Sequence, residues 1–183
     1  MYMKKILAFS GSNSSTSINA KLLRHVVKKI TSHEVTSIEL SNYDVPIYSA
    51  DIEKTAGMPS PSVQLKNLID EHQALIISVN EHNSAPSAFF KNHIDWLSRV
   101  DANFLQGKKV LLMSTSPGKR GAKSSLEYVR DVLFPRFGAQ IVESFSLPSF
   151  GENYDETSNE LTNELYALGL TDVVTNFEQN LLN

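Results

Sequence analysis

The chain has 183 residues, a net charge of −3, a pI near 5.9 and no cysteine, a length that suits one domain, 1–183, burying about 70% of its unfolded surface. This balance gives no footing for nucleic acid, and the missing thiols exclude a disulfide framework, an Fe–S cluster and cysteine catalysis. No apolar run approaches the ~20 residues that span a bilayer and no signal-peptide pattern follows Met1, so a soluble, cytoplasmic protein is expected.

The first predicted strand, 4–9, is a short apolar run that feeds directly into Ser10-Gly11-Ser12-Asn13-Ser14-Ser15-Thr16-Ser17-Ile18-Asn19, and a helix is predicted over 17–31. A strand, a loop of small hydroxylated residues and a helix N-terminus together make a phosphate cradle: backbone N–H groups, hydroxyls and the positive helix end converge. The dipole contributes only about 0.3–1 kcal/mol, whereas each hydrogen bond to a charged acceptor is worth about 1.5–3 kcal/mol. The donors therefore dominate. An ordinary strand-to-helix turn with a Ser or Thr cap is the plainer reading, but a cap needs one hydroxyl and this loop offers six.

The next predicted strand, 35–40, precedes a long loop, 41–59, with Tyr43, Pro46, Tyr48 and Pro59 but no readable chemistry. Helix 60–72 leads to strand 74–79, helix 86–100, strand 108–115, helix 121–134, strand 139–145 and a closing helix over 156–181, within a last segment, 152–183, that is acidic and then helical. Runs 74–79 and 110–113 are apolar throughout, as in strands covered on both faces. Leu161, Leu165, Leu168 and Leu170 form the expected packing stripe of the last helix. Five strands alternating with helices predict an α/β fold with a doubly wound parallel sheet. One glycine followed by hydroxyls, in place of G-x-G-x-x-G, favours the flavodoxin-like order 2-1-3-4-5 over the dinucleotide-binding order.

Ligands of such sheets lie outside the carboxyl ends of the strands, where three unusual loops converge. The second is Asn80-Glu81-His82-Asn83-Ser84-Ala85-Pro86, rich in groups that read a heterocycle edge. The third is Ser116-Pro117-Gly118-Lys119-Arg120-Gly121, whose glycines permit close approach and whose cations stand beside it. Each alone is common turn chemistry. A Walker A motif, a G-x-S-x-G elbow and an H-E-x-x-H pair are absent, and no metal is expected. His25, His33 and His72 read as solvent-facing. In helix 86–100, Phe89, Phe90, Ile94, Trp96, Leu97 and Val100 occupy more than one face, so a second subunit, or simply the edge of the domain, is expected to cover the spare aromatic surface.

These residues resemble the NAD(P)H-dependent FMN reductases of the flavodoxin-like superfamily, which include quinone, chromate and azo-dye reductases. Gly11, Ser12, Ser17 and Asn19 match the first-loop pattern G-S-x-R-x-x-S-x-N, with Ser14 where arginine is usual. Glu81-His82-Asn83 and Lys91-Asn92-His93-Ile94-Asp95-Trp96 match the second motif, and Ser116-Pro117-Gly118-x-x-Gly121 resembles the flavin-contacting turn. The resemblance implies that Ser10, Ser12, Ser17, Ile18 and Asn19 hold the FMN phosphate. It implies that Asn80, Glu81, His82, Asn83, Ser116, Pro117, Gly118, Lys119, Arg120 and Gly121 contact the ribityl chain and ring. The loss of arginine at Ser14 leaves NADH or NADPH open as co-substrate, with Lys119 or Arg120 as replacements.

The resemblance further implies a homodimer or homotetramer, and hydride transfer through FMN to a quinone, azo compound or similar small acceptor. In that chemistry the cofactor reacts while the protein orients and tunes it. His82 is the candidate catalytic proton donor, or else a loop residue contacting the flavin. Two rival readings are a flavodoxin-like FMN electron carrier with protein partners and a non-redox protein binding a phosphate ligand.

Overall fold

The computed structural model describes residues 3–182. Strand β1 (Lys5–Ser10) is buried at every position after Lys5, and β3 (Ala74–Val79) is buried at all six. They sit in the middle of a five-stranded sheet with β2 (Glu34–Ser37), β6 (Lys109–Thr115) and β7 (Gln140–Leu147), in the order β2-β1-β3-β6-β7, every pair parallel. Numbered among themselves these five strands run 2-1-3-4-5, the predicted flavodoxin-like order. The intervening labels belong to two short hairpins: β4 (Glu81–His82) with β5 (Ala85–Pro86), and β8 (Tyr154–Asp155) with β9 (Glu160–Leu161).

Alternate side chains of each central strand serve opposite faces. Leu7, Phe9, Leu75 and Ile77 pack under α3 (Ser60–Asp70), α4 (Ala88–Val100) and α5 (Lys123–Tyr128). Ile6, Ala8, Ala74 and Ile76 pack under α1 (Ile18–Lys29) and α6 (Glu164–Leu182). Among the described residues no helix is long and apolar enough to cross a membrane.

The segment 41–59 is more ordered than its composition suggests. It holds a 3-10 turn (Leu40–Asn42) and α2 (Ala50–Ala56), a helix with no buried residue and hence no apolar stripe to reveal it. Side chains of α4 lace this strap down. Asn92 Oδ1 accepts from Tyr48 N at 2.8 Å, while Asn92 Nδ2 and Trp96 Nε1 both donate to Pro46 O, at 3.0 and 2.8 Å. Arg99 and Tyr48 both bind the Glu53 carboxylate. Trp96 is therefore fully buried by its own chain and meets the Tyr48 ring edge-on. The aromatic surface expected to be spare is already covered.

The last helix begins at Glu164, because 154–161 folds as the β8–β9 hairpin. The expected leucine stripe divides accordingly. Leu165 and Leu168 are 79% and 57% exposed, and the buried row is Leu170, Val174, Phe177 and Leu181. After α5 the chain widens into a π turn over Val129–Leu133, Phe134 N donating to Val129 O at 3.0 Å. Pro135 has no N–H, and its ring crowds the carbonyl four residues back, which disfavours an α-helical continuation.

His25, His33 and His72 are buried, contrary to expectation. His25 Nδ1 donates to Asn159 O at 2.9 Å, His72 Nδ1 donates to Leu68 O at 2.7 Å, and His33 Nδ1 accepts from Lys4 N at 3.3 Å. Each imidazole trades water for a backbone partner, a bond that charge pattern alone does not reveal.

Candidate active site

The loops that follow β1, β3 and β6 meet at the carboxyl edge of the sheet. The first is wound by its own hydroxyls: Ser10 Oγ accepts from Ser12 N, Ser12 Oγ from Ser14 N, and Ser14 Oγ from Thr16 N, at 3.2–3.3 Å. Ser17 caps α1, its Oγ accepting from Ala20 N at 3.1 Å. The backbone N–H groups of Asn13, Ser15, Ile18 and Asn19 have no partner among the described residues. They form a set of donors at the positive end of a 12-residue helix. Gly11 is required by crowding, since a Cβ there would stand 2.8–3.2 Å from the Phe90 side chain. Ser87, the N-cap of α4, donates from Oγ to Gly11 O at 3.1 Å and ties the first loop to the second.

Asn19 is buried and its side chain works as a strut. Oδ1 accepts from Ser78 Oγ at 2.9 Å and Thr115 N at 3.0 Å, and Nδ2 donates to Thr115 O at 3.0 Å. It pins the start of α1 to the ends of β3 and β6. What it offers a ligand directly is its backbone N–H.

The second loop is the β4–β5 hairpin. Asn83 and Ser84 both have positive φ, +53° and +64°, as the two central residues of a tight hairpin turn require. This lifts His82, Asn83 and Ser84 into solvent, and the His82 imidazole makes no hydrogen bond among the described residues. Glu81 turns the other way: its Oε2 accepts from Ser125 N at 2.9 Å, while Ser125 Oγ donates to Asn80 O at 2.8 Å. Those two bonds join the second loop to the start of α5.

The third loop is held by Ser116, whose Oγ accepts from Ala122 N at 3.2 Å and donates to Gly118 O at 3.2 Å. Gly121 has φ +61°, and a Cβ there would lie 2.4 Å from Ser146 Oγ and 3.0 Å from the Leu147 backbone. A Cβ at Gly118 would meet only Ser116 Oγ, at 3.8 Å, an ordinary contact. Pro117, Gly118, Lys119 and Arg120 are exposed. Arg120 donates to Ser124 Oγ at 2.7 Å, Lys123 pairs loosely with Glu127 at 3.7 Å, and Lys119 has no ion-pair partner among the described residues.

One buried acceptor here is unsatisfied. Asn80 is 7% exposed and its Oδ1, at the sheet edge where the loops meet, has no hydrogen-bond partner among the described residues. Four free amide donors on one loop, an orphan acceptor at the end of β3 and loose cations on the third loop match a molecule with a phosphate at one end and a polar heterocycle at the other. FMN fits that donor set. Among the described residues there is no cluster that would hold a metal ion.

The expected site residues lie on these three loops and the first turn of α1, but the Asn19 side chain is engaged with Ser78 and Thr115 and the Glu81 carboxylate with Ser125. The struts Ser78, Ser87, Thr115 and Ser125 were not expected. They are small polar residues at element ends, indistinguishable in sequence from ordinary caps.

The pattern of the NADPH-dependent FMN reductase family matches residues 4–152. The quinone reductase of Escherichia coli K12 is 30% identical over 176 residues, covering 90% of this chain and 93% of its own. An NAD(P)H-dependent FMN reductase of Pseudomonas aeruginosa is 28% identical over 130 residues, covering 70% and 69%. Among solved structures, the flavoenzyme NAD(P)H:(acceptor) oxidoreductase FerB of Paracoccus denitrificans superposes with a TM-score of 0.76 at 26% identity, covering 97% of this chain and 96% of that one.

Proposed function

The chain belongs to the NADPH-dependent FMN reductase family, oxidoreductases that work with FMN and NAD(P)H, and on that premise we propose that it reduces quinones, azo compounds or similar small acceptors with electrons from NAD(P)H. The observation that carries this reading is the convergence of four unpartnered amide donors with the orphan Asn80 Oδ1 at one sheet edge. FMN held there would supply the hydride chemistry between nicotinamide and acceptor.

The chain's own residues bind and orient. The amides of Asn13, Ser15, Ile18 and Asn19, with the hydroxyls of Ser10, Ser12 and Ser17, hold the phosphate. Asn80 Oδ1 accepts from a donor on the ribityl chain or ring, and the backbone of Asn83 and of 116–121 borders the ring. Lys119 and Arg120 place positive charge where negative charge accumulates on reduction. His82, exposed on the hairpin tip, delivers a proton to the reduced acceptor.

The exposed cations at the third loop disfavour the carrier reading, since docking rims of such carriers are acidic. We place the protein in the cytoplasm as one domain that self-associates through the groove between α4 and the π turn, where Tyr128 and Val132 are exposed. Initial rates with NADH and a quinone varied together test the reading. Parallel double-reciprocal lines are expected of two substrates that use one site in turn; intersecting lines contradict it.

A further inference from the structure

Residues 149–161, beyond β7, lie outside the three loops yet join two parts of the site. Ser149 N donates to Gly118 O at 2.9 Å and Phe150 N to Ser116 O at 3.0 Å, so this segment backs the third loop. Ser149 is buried at φ +43°, a left-handed backbone that a serine keeps only where its surroundings impose it. The Phe150 ring stacks on Tyr154, centroids 4.6 Å apart. Tyr154 opens the β8–β9 hairpin, and the hairpin is fastened to α1, the helix whose start carries the amide donors.

Two polar contacts make that fastening. Lys21 Nζ meets Glu156 Oε2 at 2.6 Å, a pair open to solvent that adds little. His25 Nδ1 donates to Asn159 O at 2.9 Å, and its ring meets Tyr154 edge-on at 6.0 Å. His25 is 4% exposed, and its Nε2 is buried with no partner among the described residues. The contact therefore suits the neutral imidazole with its proton on Nδ1. A second proton would bury an N–H on Nε2 with nothing to accept it. Burial lowers the His25 pKa from 6.5; Lys29 and Lys28 of α1 act in the same direction, while Asn159 O and Glu160 of the hairpin oppose. Tyr154, beside Arg24, is the other titratable group facing the ring.

We propose that the β8–β9 hairpin is a clasp joining the phosphate end of the flavin site to the third loop, and that His25 is the positioning residue that locks it while neutral. This rests on the placement of FMN at the three loops. With the clasp open His25 has its ordinary value of 6.5, and with the clasp closed a lower one. The open form binds more protons, so the clasp holds fully above pH 6.5 and loosens as the pH falls below it.

The test compares FMN affinity, by fluorescence titration at pH 7.5 and 5.5, in the wild type and in His25→Gln, which keeps an N–H donor but cannot titrate. The FMN phosphate titrates near pH 6 and His93 titrates too, but both do so in each protein and cancel in the ratio. The wild type is expected to lose more affinity than the variant, up to the limit of about tenfold that one pH unit below 6.5 allows. A second measurement needs no variant. By reciprocity, FMN must lower the His25 pKa read by NMR in the wild type. Hydrogen exchange over 154–161 in the flavin-free protein, corrected for its intrinsic pH dependence, is expected to quicken at pH 5.5. A variant with the pH dependence of the wild type, or a His25 pKa that FMN leaves unchanged, overturns the proposal. A protein that takes up no FMN at pH 7.5 instead sinks the placement of the flavin, so the two failures are distinct.

Discussion

The side chain of Asn19 binds the backbone of Thr115 in both directions, Nδ2 donating to the carbonyl and Oδ1 accepting from the N–H, each at 3.0 Å. Residues 96 positions apart are thereby locked together at the point where α1 begins and β6 ends. Asn19→Leu keeps the size and leaves Ser78 Oγ and both Thr115 groups unpaired in a buried site, which costs about 3 kcal/mol. Urea denaturation is expected to report that loss, and FMN affinity is expected to fall with it because the amide donors lose their anchor.

Gly118 and Gly121 look alike in sequence and should behave differently. Gly121→Ala places a methyl against the Leu147 backbone at φ +61°, a conformation that costs a non-glycine residue about 1–3 kcal/mol before the clash is counted. Gly118→Ala meets only Ser116 Oγ, at 3.8 Å. The first variant is expected to lose stability and flavin binding in a fluorescence titration, and the second to match the wild type.

The His82 imidazole stands beside a hairpin tip with no hydrogen bond among the described residues to hold it. His82→Gln is expected to leave the rate of flavin reduction by NADH unchanged in stopped flow and to slow quinone turnover. If quinone turnover is also unchanged, His82 is a bystander and the proton comes from solvent.

His93 is buried against Phe89, and burial pushes its pKa from 6.5 down to about 4, against a weak opposing pull from Asp44. Above pH 6.5 the ring is neutral folded or unfolded. As pH falls below 6.5 the unfolded chain takes up a proton that the folded chain refuses until about pH 4. Stability is therefore full above 6.5 and drains away toward 4, by about 2–3 kcal/mol in total. Burial lowers the pKa of His25 as well, which adds in the same direction. Urea midpoints of His93→Gln are expected to fall less steeply than those of the wild type between pH 7 and 4.5.

The sheet order and the three loops were legible because their signals are local: apolar runs flanked by small hydroxylated or glycine-rich turns. Glu81-His82-Asn83 was readable as a candidate contact segment, but only the structure shows that Glu81 points back to the start of α5 while His82 points out. Lys91-Asn92-His93-Ile94-Asp95-Trp96 was readable as a motif yet not as a fastening, since its partners Pro46 and Tyr48 lie about 45–50 residues away. Helix α2 and the burial of His25, His33 and His72 rest on long-range contacts, which periodicity does not encode.

The most direct measurement is the visible spectrum of the protein reconstituted with FMN, recorded without air before and after one equivalent of NADH. The account predicts flavin bands that bleach on addition and return when a quinone is supplied. A protein that retains no FMN, or a bound flavin that NADH and NADPH both leave oxidised, would contradict it.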